Sequence, residues 1–168
     1  MKRKKEPEQL RWGKRFHKLI QKEWLATAEG GRISPEKYLK KINGKRGRVD
    51  ILVEELADGM VSVVEVKGTN WDRIKSQNLL RNIRGQINQV WDYVDSQLDI
   101  YGREVCPGVI FPKMPKTAKR LLLIEKMFND SGIQVVWHNE STENLKVRMA
   151  QCKPVMKVEN TGKRETVG

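Results

Sequence analysis

Two runs, Val49-Asp50-Ile51-Leu52-Val53-Glu54-Glu55-Leu56 and Val61-Ser62-Val63-Val64-Glu65-Val66-Lys67, joined through Ala57-Asp58-Gly59-Met60, decide how this chain is read. Both runs are rich in β-branched side chains, the composition of a strand. Asp58-Gly59 supplies the positive backbone angles of a type I′ turn, so the runs are predicted to form a β-hairpin. A two-residue turn at that point sets Asp50 opposite Lys67. Side chains alternate with a period of two, so Arg48, Asp50, Leu52 and Glu54 share a face with Val63, Glu65 and Lys67. Val49, Ile51, Val53, Val64 and Val66 then form the inward face. Asp50 and Glu65 become diagonal neighbours, roughly 7–8 Å apart along the backbones, with side chains able to converge on one ion. The simpler reading is a cross-strand ion pair worth only ~0.2–1 kcal/mol. Against it stands the cost of an acid and a lysine in a valine-rich strand without a function to retain them.

Outward from the hairpin, the elements follow from periodicity. Leu10, Phe16, Leu19, Ile20, Trp24 and Leu25 recur at roughly helical spacing from Pro7 to Ala28, until Gly30-Gly31. Ser34-Pro35-Glu36-Lys37 has the form of a helix start, with an N-cap and a proline in the first turn, and predicts a short helix ending by Gly44. A long helix is expected over residues 76 to 98, with Leu79, Leu80, Ile83, Ile87, Val90, Trp91, Val94 and Leu98 on one stripe. Val105 to Phe111 reads as a buried strand, Thr117 to Asn129 as a helix and Ile133 to Trp137 as a further strand. This order predicts an α/β (mixed α+β) fold: a central mixed β-sheet flanked by helices. One domain is expected over residues 7–139, between a basic tail at 1–6 and a polar tail at 140–168.

The chain has 168 residues, 38% of them hydrophobic, enough for one ordinary core. Its 33 Lys and Arg against 21 Asp and Glu give a net charge of +12. Residues 47 to 66 hold one base and five acids, a local charge of −4, which leaves +16 on the remainder. An acidic hairpin in a basic chain suits phosphodiester chemistry: the basic surface gathers a polyanion and the carboxylates hold a hard cation such as Mg²⁺ or Mn²⁺. Nucleic acid is therefore the expected partner. A membrane is not, because no stretch approaches the ~20 apolar residues of a span and no basic amphipathic helix stands out. The start Met1-Lys2-Arg3-Lys4-Lys5 runs into Glu6-Pro7-Glu8 and does not read as a secretory signal. Cys106 and Cys152, far apart, suit a reduced cytoplasmic setting. His17 and His138 are too few for a histidine–metal nuclease and are expected to be structural. Homodimerisation stays open.

Gly47-Arg48-Val49-Asp50, the hairpin, Val64-Glu65-Val66-Lys67-Gly68-Thr69 and the long glutamine-bearing helix resemble the PD-(D/E)XK phosphodiesterase superfamily, over about residues 10 to 112. Val49 stands where the motif's proline would be. The resemblance implies a restriction-endonuclease-like core, with Asp50, Glu65 and the Val66 carbonyl as metal ligands and Lys67 as the catalytic lysine. It also implies an acid on the first helix, for which Glu23 is the candidate and Glu29 the rival. Gln89-Val90-Trp91-Asp92-Tyr93 is similar to the Q-x-x-x-Y element of exonuclease-type members, and Gln86, Gln89 and Tyr93 share one helix edge. The expected nucleic-acid contacts are Lys45, Arg46, Arg48, Arg81, Arg84, Gln86, Gln89 and Tyr93. Trp71, placed in a loop, is the tryptophan expected to stack on a base. The expected function is a Mg²⁺-dependent endo- or exonuclease of DNA. The alternatives are an RNA-cleaving, toxin-like nuclease of the same fold and a non-catalytic nucleic-acid-binding module.

Overall fold

The computed structural model describes residues 6–27, 31–100 and 102–149. Five strands, β1 (Gly31–Lys40), β2 (Arg46–Glu55), β3 (Val61–Val66), β4 (Val105–Phe111) and β5 (Gln134–Trp137), lie side by side in sequence order. β1, β2 and β3 pair antiparallel, and β3, β4 and β5 pair parallel. Helix α2 (Ser76–Asp95) makes the crossover from β3 to β4, and α3 (Ala118–Asp130) that from β4 to β5. A parallel neighbour requires such a long return path, and the strand–helix–strand–helix–strand order of the second half supplies it. The mixed sheet flanked by helices is the α/β architecture expected from the sequence.

Both faces of the sheet are covered. Phe16 and Ile20 of α1 (Glu8–Ala26) pack on Ile51, Val53, Val64, Val66 and Ile110. On the opposite face Leu79, Ile83, Ile87, Val90 and Val94 of α2 meet Leu52, Val61, Val63 and Val109, with Ile124 and Phe128 of α3 alongside. The face expected to be polar is therefore also core: Leu52 and Val63 are buried under α2. Val49 belongs to this α2 cluster, whereas Ile51 and Val53 belong to the α1 cluster, so the alternation breaks around Asp50. At that point β2 and β3 part company, and their paired register ends at Ile51 opposite Val64.

Two expectations are corrected here. Residues 34 to 40 form an edge strand, not a helix: Gly31 to Lys40 pairs with β2 from Glu55 to Arg46, with no pair at Glu36 and Asp50. An isolated helix of so few residues is marginal, and the open edge of β2 offers a full ladder instead. Pro35, which cannot donate to a ladder, is tolerated on an edge strand. Gly44, where the short helix was expected to end, lies instead with Asn43 in the turn of the β1–β2 hairpin: Lys41 N–H bonds the Lys45 carbonyl at 2.8 Å and Gly44 has φ +79°. The second correction is the β2–β3 register. Glu55 N–H bonds the Met60 carbonyl at 2.9 Å, so Leu56 to Gly59 form a four-residue loop, with Gly59 at φ +74°. The pairing slides by two residues, a shift that does not by itself turn a side chain over, and it ends at Ile51 opposite Val64, one residue short of Asp50 and Glu65. Beyond β5, Thr142–Met149 is a short helix, α4, where a loose tail was expected. Among the described residues no helix is long and apolar enough to cross a membrane.

Candidate functional site

The site forms where β2 and β3 separate. The ladder bond that Val66 N–H would make to β2 goes instead to the Asp50 side chain, Oδ2, at 2.8 Å. The N–H and C=O of an extended residue leave toward the same neighbour, so the Val66 carbonyl lies on the β2 edge as well. Lys67 N–H points the other way, to the Ile110 carbonyl at 2.9 Å, which anchors the end of β3 to β4.

Glu65 is 1% exposed beneath α2. Its Oε2 accepts from Lys67 Nζ at 2.8 Å and from Gln89 Nε2 at 3.2 Å, and Lys67 Nζ also donates to Gln89 Oε1 at 2.8 Å. The three side chains close a ring of contacts. The ring uses two of the three donors of the ammonium and leaves a third. Glu65 Oε1 is buried and has no hydrogen-bond partner. Burial pushes the Glu65 carboxyl above the ordinary glutamate range; the Lys67 charge opposes this and the Asp50 charge adds to it.

Asp50 is gripped from α1. His17 Nε2 lies 2.7 Å from Asp50 Oδ1, and Gln21 Nε2 donates to the Asp50 carbonyl at 3.1 Å. His17 was expected to be structural, and no role was assigned to Gln21. The signal was present: the two lie four residues apart and so share a helix face beside Phe16 and Ile20. Glu23 is not brought to this place. Six residues beyond His17 is about 120° around the helix, and Glu23 Oε2 meets His138 Nε2 at 3.0 Å beyond β5. Its rival Glu29 lies outside the described residues.

The sequence-predicted nucleic-acid residues divide. Lys45, Arg46, Arg48, Arg81 and Arg84 are exposed, Arg48 beside Glu36 at 3.5 Å. Arg81, Gln86 and Gln89 line a groove of about 440 Å³ along α2, and Gln86 Nε2 donates to Thr69 Oγ1 at 3.0 Å. Tyr93 is buried and its hydroxyl donates to the Arg48 carbonyl at 2.9 Å. Its ring rests on Gly47, where an added Cβ would stand 2.6 Å from Tyr93 Cε1. Tyr93 thus docks α2 on the start of β2 and presents no surface to a polymer. Trp71 is likewise corrected: it is 1% exposed, edge-on to Phe111 at 5.1 Å, and no base can reach its face. Its short 3₁₀ turn, Trp71–Arg73, folds the indole into the core. The exposed indole is Trp12, which lies parallel to Phe16 with ring centroids 5.7 Å apart.

The donor chemistry fits a hard divalent cation. Each carboxylate oxygen has two lone pairs, so Asp50 keeps acceptor capacity beside His17 and Val66 N–H, and Glu65 Oε1 is unused. Among the described residues no group of three or more His, Cys, Asp and Glu side chains stands together as a ligand cage. Mg²⁺ is usually held by one or two carboxylates with several waters retained, so two carboxylates and a carbonyl suit it better than zinc.

No protein-family model and no curated protein matches the sequence. Two solved structures share part of the architecture. The crystal structure of AF1548, a protein of unknown function, is 15% identical with a TM-score of 0.45, over 83% of this chain and 65% of that one. The structure of Pyrococcus furiosus SfsA in complex with Ca²⁺ is 22% identical with a TM-score of 0.33, over 75% of this chain and 55% of that one. The chain spans less than two thirds of the length of either.

Proposed function

We propose that this chain is a metal-dependent nuclease of the PD-(D/E)XK kind, acting on DNA. The observation that carries the reading is the break between β2 and β3. There Val66 N–H bonds Asp50 Oδ2 at 2.8 Å, Lys67 Nζ bonds Glu65 Oε2 at 2.8 Å, and Glu65 Oε1 is buried without a partner. A buried carboxylate oxygen with no donor is costly unless something cationic completes it. Asp50, Glu65 and the Val66 carbonyl would hold Mg²⁺ or Mn²⁺. When bound, such a cation polarises the scissile phosphate and lowers the pKa of water.

The protein's own groups do the rest. His17, Gln21 and Val66 N–H fix the Asp50 carboxylate between α1 and β3. Gln89 and Glu65 fix the Lys67 ammonium, whose remaining N–H is free to orient the attacking water or offset charge on the transition state. The exposed bases at the β1–β2 turn and along α2 hold the polyanion.

The test is cleavage of a panel of single-stranded, duplex and branched DNA and RNA with Mg²⁺, by wild type and Lys67→Ala. Wild type should cut, chelation should stop it, and Lys67→Ala should lose about 100-fold or more while binding the substrate nearly normally. Equal rates for the two proteins would remove the lysine from the mechanism. A wild type that binds but cuts nothing would point to a binding module, and cleavage confined to RNA would change the substrate class.

A further inference from the structure

At Gly68, the residue that follows Lys67, lies a cleft of about 810 Å³ lined also by Trp12, Thr69, Arg73, Pro112 and Lys113. Its size is within the range of small-ligand sites. Trp12 is 45% exposed and has Phe16 parallel behind it. Its six-membered ring lies against the residue that follows Lys67: a Cβ added to Gly68 would stand 3.6 Å from Trp12 Cζ3 and 3.0 Å from Gly13 Cα. Arg73 and Lys113 are exposed on the rim, and Glu8 is the one acid among the lining residues. The cleft and the α2 groove are joined through Thr69, which lines the first and accepts a hydrogen bond from Gln86 of the second.

We propose that this cleft is a subsite for one unpaired nucleotide next to the scissile phosphate, its base stacked on Trp12 and its phosphate held by Arg73 and Lys113. The proposal rests on the reading of Asp50, Glu65 and Lys67 as a phosphodiester-cleaving site and names the substrate class that site prefers. A base inside a duplex has both faces covered by its neighbours, so it reaches an indole only after leaving the stack. Single strands, flaps and frayed ends already offer such a base. Stacking tolerates any base, because each has a π-face. The subsite therefore selects strand form and not sequence.

The experiment separates the cleft from the cleavage chemistry by measuring binding in a chelator. Fluorescence anisotropy of a short labelled oligothymidylate, and of a duplex of equal length, is recorded with full-length wild type, Trp12→Ala, Trp12→Phe and Arg73→Gln. Wild type should prefer the single strand. Trp12→Ala should bind it about 5- to 100-fold more weakly with duplex affinity nearly unchanged, and Trp12→Phe should recover most of the loss. Should Trp12→Ala fail to fold, Trp12→Leu and Arg73→Gln carry the test, both weakening single-strand binding. Unchanged single-strand binding in the folded variants, or equal loss for both strand forms, overturns the subsite. A wild type that cuts duplex while Trp12 proves indifferent keeps the nuclease and loses the cleft; Trp12-dependent binding without cleavage does the reverse.

Discussion

At the scale of the residue, Glu65 carries the sharpest physical tension in the molecule. Its carboxyl is held above the ordinary range by burial, with the Lys67 opposition already counted in that net direction. A group whose folded pKa is raised contributes stability that is fully present below its unfolded pKa, near 4.5, and is lost as pH rises through the folded value. Above that unfolded value the fold bears a cost at Glu65 that an amide would not. Glu65→Gln should therefore melt higher at pH 7, by about 1–2 kcal/mol or roughly 2–6 °C. The difference should shrink on acidification below the folded value. A variant that melts lower than wild type at pH 7 would mean that Lys67 outweighs burial. Asp50 tests the proposed cation site: calorimetric titration with Mg²⁺ or Mn²⁺ should show binding to wild type and none to Asp50→Ala. Equal binding by both would place the cation elsewhere.

At the scale of the element, the site depends on how closely α1 approaches the end of β3. Gly68 and Gly13 face each other, and a Cβ on Gly68 would meet the Gly13 Cα at 3.0 Å. Backbone cannot give way as a flexible side chain can. Gly68→Ala should displace α1 by a few tenths of an ångström and destabilise by about 1–3 kcal/mol. Because α1 carries His17 and Gln21 to Asp50, cleavage should fall with it. Gly59→Ala is the control: it has open space but φ +74°, so it should cost about 1 kcal/mol of strain and leave cleavage per folded molecule unchanged. Thermal melts and rates on the two variants check this; wild-type rates in Gly68→Ala would show that the approach of α1 does not set the site.

At the scale of the whole molecule, charge is divided by sign. The −4 of residues 47 to 66 sits within a chain of +12, and Lys45, Arg46, Arg81 and Arg84 outside that segment, with Arg48 inside it, are exposed. Contacts between these bases and phosphates release counterions, so the logarithm of affinity should fall linearly with that of salt. With about five phosphates neutralised, moving from low to moderate salt should weaken DNA binding by about 100-fold or more. A flat salt profile would point to a partner other than a polyanion.

Local chemistry along the chain sufficed to define the β2–β3 hairpin, the three helices that cover the sheet, and strands β4 and β5. Each of these follows from periodicity or from side-chain alternation, which any neighbour must respect. Alternation does not fix register, and the β2–β3 pairing differs from the expected one by two residues. Tertiary structure decided the rest. Residues 31 to 40 became a strand because β2 had an open edge, although Asn43-Gly44 already marked the turn. The direction from which α1 crosses the sheet brought His17 and Gln21 to Asp50 and sent Glu23 to His138. The folding-in of a single 3₁₀ turn buried Trp71, while Trp12 stayed open against Gly68. Which member of a helix or loop faces a site depends on how elements dock, and docking is settled by the core they bury together.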